Sequence, residues 1–74
     1  MTRPASPALL DQIRRELDQA ERINRSRLAG RPVNRDELDA LLSDVSELAH
    51  TARYVIAEED LAARVAADPA GGAA

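Results

Sequence analysis

Apolar residues recur along the first half of the chain at intervals of three and four, which is the period of an α-helix. Winding residues 7–29 at about 100° per residue gathers the apolar side chains into an arc of about 140°, while the opposite face is charged. The stripe comprises Leu9, Leu10, Ile13, Leu17, Ala20, Ile23 and Leu28. The pattern therefore predicts an amphipathic first helix.

Signals at both ends of this segment agree with that prediction. Ser6 followed by Pro7 is typical of a helix start, with serine as the N-cap and proline at the first helical position. Gly30 can adopt the left-handed conformation that ends a helix, and Pro32 cannot continue one. We expect helix 1 over about residues 7–29.

The second half of the chain has the same period over a longer distance. Asn34 and Glu37 resemble a capping box, in which the Asn side chain accepts the Glu37 N–H while the glutamate reaches back. This predicts a turn over residues 30–34 and helix 2 over about 35–67, with a break near 58–60 as one alternative. The stripe of helix 2 comprises Leu38, Leu41, Leu42, Val45, Leu48, Ala49, Ala52, Val55 and Ile56.

So short a turn makes the two helices antiparallel neighbours, and residues whose numbers add to about 66 should lie opposite one another. The fold class is then all-α, a two-helix hairpin over residues 6–67, in which helix 2 overhangs helix 1 by roughly ten residues. Residues 1–5 and 68–74 are expected to be disordered. The predicted core of the hairpin or of a bundle is Leu10, Ile13, Leu17, Leu28, Leu38, Leu42, Val45, Ala49, Ala52 and Ile56.

Composition makes a lone hairpin marginal. The 74 residues are 45% hydrophobic, but 15 of them are alanine, Tyr54 is the only aromatic residue and there is no cysteine. Below about 70 to 80 residues a core usually needs disulfides, metal, oligomerisation or near-ideal helix packing. One neighbour cannot cover both stripes, so we expect dimerisation into a four-helix bundle or completion by a protein partner.

Charge is distributed unevenly along a chain of net charge −3. Residues 14–35 carry seven arginines and three acids, whereas residues 36–68 carry nine acids and two arginines. Acid-before-base pairs at i,i+4 are expected for Asp11–Arg15, Asp18–Arg22 and Glu21–Arg25. The turn is surrounded by an Arg-rich tip, a candidate contact for phosphate or an acidic partner, which comprises Arg22, Arg25, Arg27, Arg31 and Arg35. No stacking aromatics accompany it, and the acidic second helix repels a polyanion, so a nucleic-acid role is the less favoured interpretation.

Few residues have the spacing of a catalytic or metal-binding site. Glu47 and His50 have the E-x-x-H spacing of di-iron bundles, but the helical wheel turns both away from the apolar stripe. Ser46 could meet His50 at i,i+4, yet a continuous helix provides no oxyanion hole, because its amides are bonded within the helix. We therefore expect no catalytic residue, no metal ligand and no cofactor.

A second apolar seam of Tyr54, Leu61 and Val65 lies about 170° from the first stripe of helix 2, and is the predicted partner-binding surface. No segment approaches the roughly 18 apolar residues of a membrane span, so a cytoplasmic location is expected. The sequence favours a noncatalytic helical interaction or adaptor module. Two alternatives are an antitoxin-like nucleic-acid accessory that uses the Arg-rich tip and, third, a ferritin-like metal site in a dimer.

Overall fold

The structure, a computed structural model, describes residues 3–67. Two helices, α1 (Ser6–Leu28) and α2 (Arg35–Ala67), pack against each other, and the described residues include no strand. The predicted all-α hairpin is therefore confirmed. The disorder predicted for residues 68–74, and for the first two residues, lies outside the described residues.

The first turn of α1 is capped from the other helix. Ala5 occupies the N-cap and has no side-chain acceptor, while Ser6 is already helical. The Ser6 N–H and hydroxyl donate to the two carboxylate oxygens of Glu59 on α2, at 3.0 Å and 2.5 Å. The expectation that Ser6 is the N-cap is therefore wrong. A carboxylate 53 residues away takes that role, which suits the positive end of the helix dipole.

The C-terminus of α1 is a Schellman motif. Gly30 has a φ of 80°. The Gly30 N–H donates to the carbonyl of Arg27, and the Arg31 N–H donates to that of Ser26, both at 3.0 Å. These two bonds satisfy carbonyls left open at the helix end. The predicted stop at Gly30 is confirmed, because glycine alone takes this left-handed conformation without a steric cost.

The start of α2 follows half of the predicted capping box. The Asn34 Oδ1 accepts a hydrogen bond from the Glu37 N–H at 3.2 Å, as expected. The Glu37 carboxylate does not complete the box but accepts from Gln19 Nε2 on α1 at 3.3 Å. From Arg35 to Ala67 the helix is continuous, so the alternative of a break near residues 58–60 is not realised.

The helices meet along a seam whose positions are spaced alternately three and four residues apart, as in the a and d positions of a coiled coil. These positions are buried or half-buried and comprise Ser6, Leu9, Ile13, Glu16, Ala20 and Ile23 on α1, and Leu38, Leu41, Val45, Leu48, Ala52, Val55 and Glu59 on α2. Within the described chain only Ala20, Leu38 and Ala52 are buried. The seam is therefore narrow. Its polar members are Ser6 at the start of α1, Glu16 within α1 and Glu59 at the last contact of α2.

The seam contains only part of the predicted core of the hairpin or of a bundle. Four of the ten predicted residues lie in it: Ile13, Leu38, Val45 and Ala52. The other six are exposed in the hairpin: Leu10, Leu17, Leu28, Leu42, Ala49 and Ile56. A stripe about 140° wide is broader than the strip that a single neighbouring helix covers. Leu10 with Ile56 and Leu17 with Ala49, two pairs whose numbers add to 66, therefore lie beside the helix–helix contact, whereas Ala20 and Val45 lie inside it.

The hairpin is a thin rod, with overall extents of 64 × 17 × 16 Å. Because Ser6 meets Glu59, residues 60–67 form the part of α2 that extends past α1. This overhang is about 12 Å long, slightly shorter than predicted. Neither α1 nor α2 has the length and apolarity together that crossing a bilayer requires.

Candidate interaction surfaces

The seam has two flanks, and side-chain contacts show that one of them is polar. Gln19 reaches Glu37 across it, and Asp44 and Gln12 lie close enough to Glu16 to shift its pKa. Gln12, Gln19, Glu37 and Asp44 each lie directly before every second seam position of their helix, which is a g position in heptad terms. The polar flank comprises Gln12, Gln19 and Ser26 on α1, and Glu37, Asp44, Thr51 and Glu58 on α2.

The opposite flank is apolar. In an antiparallel pair the residues directly after the seam positions meet on the side away from the polar flank. They place leucine, isoleucine and alanine side chains from both helices on one face. The apolar flank comprises Leu10, Leu17, Leu42, Ala49 and Ile56, five of the six predicted core residues that lie outside the seam; Leu28 lies beside the turn, beyond the last seam position of α1. The four larger side chains are between 43% and 50% exposed.

A groove marks the middle of the apolar flank. Its volume is about 480 Å³, and Leu17 and Leu42 line it from the two helices above the buried Ala20 and Leu38. Glu21 and Asn24 form its polar edge. The whole chain exposes 6071 Å², whereas a compact monomer of 8.0 kDa exposes about 4,500 Å². A hairpin alone therefore leaves much of its apolar surface in water.

Glu16 is a carboxyl group placed among apolar seam residues. Its Oε2 atom is shielded from solvent and has no hydrogen-bond partner within residues 3–67. The hydrogen bond with Asp44 raises the pKa of Glu16 above its ordinary value of 4.5, desolvation raises it further, and Gln12 opposes both. The folded hairpin therefore favours the protonated form of Glu16.

Glu59 shows the opposite behaviour at the open end. The Ser6 hydroxyl, followed by the Ser6 and Ala5 backbone N–H groups, lowers the pKa of Glu59 below 4.5. Hydrogen bonds to the ionised form favour that form. The folded hairpin therefore prefers a charged Glu59 that holds the two helices together.

The predicted partner-binding residues share one face of α2. Tyr54, Leu61 and Val65 are 68%, 59% and 68% exposed. Tyr54 lies before the overhang and lines a shallow cavity of about 590 Å³ together with residues 3–5. Leu61 and Val65 lie on the overhang itself. All three face away from the apolar flank, so the molecule has two separate apolar surfaces.

The Arg-rich tip is largely engaged with its own helices. Arg25 pairs with Glu21, Arg27 donates to Asn24 Oδ1 at 3.0 Å and 2.8 Å, and Arg35 pairs with Asp39 at 3.1 Å. Three guanidinium groups therefore already have acceptors, which leaves fewer of them for phosphate.

The remaining two arginines of the tip border a shallow cavity of about 320 Å³. Arg22 and Arg31 line it, but the Glu37 carboxylate lines it too. An acid in this position opposes the binding of an anion. The expected Asp18–Arg22 pair is not formed, whereas Asp11–Arg15 and Glu21–Arg25 are confirmed.

The candidate catalytic and metal-binding residues remain apart from either flank. Glu47, His50 and Ser46 are all exposed on α2. Residues 3–67 contain no group of three or more histidine, cysteine, aspartate or glutamate side chains that could hold a metal ion.

Sequence reasoning did not separate the seam from the apolar flank, and it did not find the contacts of Glu16 and Glu59. A strict alternation of three and four between residues 6 and 23, and between 38 and 59, would have identified both acids as seam residues. No protein-family model, curated protein or solved structure matches this chain. Function must therefore be argued from these surfaces.

Proposed function

We propose that this chain is a small noncatalytic helical interaction module that acts by helix–helix association, with a second copy or with a protein partner. The observation that carries the proposal is the apolar flank. Its four large side chains are 43% to 50% exposed, whereas the seam residues are buried or half-buried. Contiguous exposed apolar surface on a small protein is typical of an interaction site.

Energetics support this interpretation. Full burial of a leucine or isoleucine side chain contributes about 1.5 to 3 kcal/mol. The seam buries mainly alanines, while Leu10, Leu17, Leu42 and Ile56 retain 43% to 50% of their exposure. Covering the flank therefore adds stabilisation that the seam alone does not supply, and association and folding become linked.

The exposed surface formed by Tyr54, Leu61 and Val65 is the proposed second contact. These side chains point away from the apolar flank, so they stay accessible when that flank is covered. Their spacing along one helix face is that of anchors for a helix or groove of a protein partner. Self-association and partner binding would therefore use different sides of the molecule.

The test is sedimentation equilibrium across a hundredfold concentration range, with circular dichroism at the same points. The wild-type chain is expected to be a helical oligomer, and Leu42→Glu is expected to dissociate it, because a charge on the apolar flank cannot be buried unpaired. Ala40→Glu is the matched control: it adds the same charge two residues away on an exposed outward position, and should leave the oligomer intact.

A third variant separates the two surfaces. Leu61→Asp should retain the oligomer and the helicity while weakening the binding of a protein partner. A fully helical monomer at every concentration, with Leu42→Glu indistinguishable from wild type, would contradict association through the apolar flank.

A further inference from the structure

We infer that the apolar flank binds the same flank of a second copy across a two-fold axis, with the two hairpins antiparallel and the axis perpendicular to the helices, in the interface, at the level of Leu17 and Ala49. This inference rests on the proposed function and specifies its partner and geometry. It would produce a four-helix bundle in which every neighbouring pair of helices is antiparallel.

The positions on the flank are arranged symmetrically about that axis. Because Ser6 meets Glu59, Leu17 lies about level with Ala49 at 1.5 Å per residue. Leu42 and Ile56 are each seven residues from Ala49, so the axis brings Leu42 against Ile56 of the second copy. Leu17 and Ala49 then each meet their own equivalents, as the self-complementary patch of a two-fold interface requires.

The same axis places Leu10 against Asn24 of the second copy, seven residues on either side of Leu17. This is the one polar residue that enters the proposed contact on α1. Its side-chain oxygen is already satisfied, since Arg27 donates to it twice. Asn24 is half-buried in the single hairpin, so covering it further leaves no unsatisfied side-chain acceptor.

Charges at the edge of the flank fit this arrangement. Arg14 lies three residues before Leu17 and Glu21 lies four residues after it, on the same edge of α1. Arg14 forms no ion pair within residues 3–67, although it is exposed. The axis brings Arg14 of each copy level with Glu21 of the other, which creates two equivalent attractive pairs.

A parallel arrangement of the hairpins would be opposed by charge. It would place α1 over α2 of the second copy at the same level, so that Arg14 would meet Arg53. It would also bring the two Arg-rich tips together. In the antiparallel arrangement each tip lies near the acidic run 58–60 of the other copy. Complementary potentials of this kind select orientation in an interface.

The overhang also finds a neighbour in the antiparallel dimer. Residues 60–67 lie alongside the turn of the second copy, which makes the ends of the bundle nearly flush. Two like-charged approaches result, between Asp39 and Asp60 and between Arg35 and Arg64 of the two copies. Each of these acids is already paired within its own helix, with Arg35 at 3.1 Å and with Arg64 at 3.0 Å respectively.

Cysteine cross-linking tests the position of the axis, and the chain has no cysteine of its own. Ala49→Cys should form an intermolecular disulfide under mild oxidation, because the two equivalent residues meet at the axis. His50→Cys is the control: it is exposed on the same turn but points away from the flank. Cross-linking of His50→Cys at an equal or higher rate would overturn the inference.

Charge exchange tests the orientation. Arg14→Glu and Glu21→Arg should each raise the dissociation constant of the dimer about tenfold, the size of two surface pairs turned from attraction to repulsion. An equimolar mixture of the two variants should form a heterodimer at least as tight as wild type, since one copy then carries both acids and the other both arginines. The doubly exchanged variant should recover the wild-type value.

The results distinguish this inference from the proposed function. If Leu42→Glu dissociates the oligomer while Arg14→Glu and Glu21→Arg fail to complement, association through the flank stands and the two-fold arrangement is wrong. If the wild-type chain is monomeric throughout, both the inference and self-association fail.

Discussion

Glu16 is the residue whose environment departs most from the pattern around it. It lies between Ile13 and Ala20 in the seam, where an apolar side chain would pack against α2, and faces Asp44 instead. Asp44 raises the pKa of Glu16, so ionisation of Glu16 is less favourable in the folded hairpin than in the unfolded chain.

The pH dependence of Glu16 has a definite sign. A folded-state pKa raised above 4.5 gives a contribution to stability that is complete below about pH 4.5 and is lost as the pH rises through the folded pKa. We expect Glu16→Gln to raise the free energy of unfolding at pH 7 and to remove this pH dependence. Urea titrations at pH 7 and pH 4.5 would measure both effects.

The control for that prediction is Asp18→Asn, which removes an exposed carboxylate two residues away on the outer face. It should leave the difference between the two pH values unchanged. Glu59 contributes with the opposite sign, because its lowered pKa gives stability above pH 4.5 that is lost as the pH falls through the folded pKa. If the free energy of unfolding differed between pH 7 and pH 4.5 by the same amount in Glu16→Gln as in wild type, the raised pKa of Glu16 would be contradicted.

At the scale of elements, the turn depends on one glycine. Gly30 has a φ of 80°, and a Cβ added there would meet nothing within 4 Å. The cost of Gly30→Ala is therefore purely a backbone cost, about 1 kcal/mol for an L-residue held in the left-handed region. Chemical denaturation at fixed protein concentration should show this loss with an unchanged m-value.

Gly30→Asn is the comparison for the turn, because asparagine is the other residue that commonly ends helices in this conformation. It should lose less stability than Gly30→Ala. Equal losses in the two variants would mean that the added side chain and not the left-handed backbone is responsible.

The helices and their two ends at the turn could be predicted from the sequence because each depends on local signals. Asn34 and Gly30 act on backbone groups only a few residues away. Capping side chains and C-terminal glycines of helices in general act over the same short distance. The seam could not be predicted in the same way. Leu9 and Leu10 are adjacent and equally apolar, and only the packing of α2 decides that Leu9 is covered and Leu10 is not.

Ser6 shows the same limit for the candidate site. Its sequence context is that of an N-cap, but Glu59, far along the chain, provides the acceptor and moves serine into the first turn. The candidate surfaces follow from this packing as well. Until the seam is known, the leucines of the flank and those of the interior have the same pattern.

At the scale of the whole molecule, coupling of folding to association predicts a stability that depends on concentration. Mass action stabilises any state that binds a second copy only when folded. The melting temperature of the wild-type chain should therefore rise with protein concentration across the hundredfold range. Differential scanning calorimetry at several concentrations would measure this shift.

Leu42→Glu provides the reference for that measurement, since its melting temperature should be lower and independent of concentration. Ala40→Glu should follow the wild-type dependence. A wild-type melting temperature that is the same at every concentration would contradict the link between association and folding.

The clamp between Ser6 and Glu59 has a mechanical consequence. The N-terminus of α1 and the C-terminal part of α2 emerge at the same end of the rod, so tension applied to both ends of the chain acts across the seam and separates it one layer at a time. The first contact under load is the clamp, where two hydrogen bonds of 3.0 Å and 2.5 Å hold the helices. The last is the turn at Gly30. Under force the hairpin would therefore open from the contact between Ser6 and Glu59 towards the turn. The force needed to start this opening would depend on Glu59.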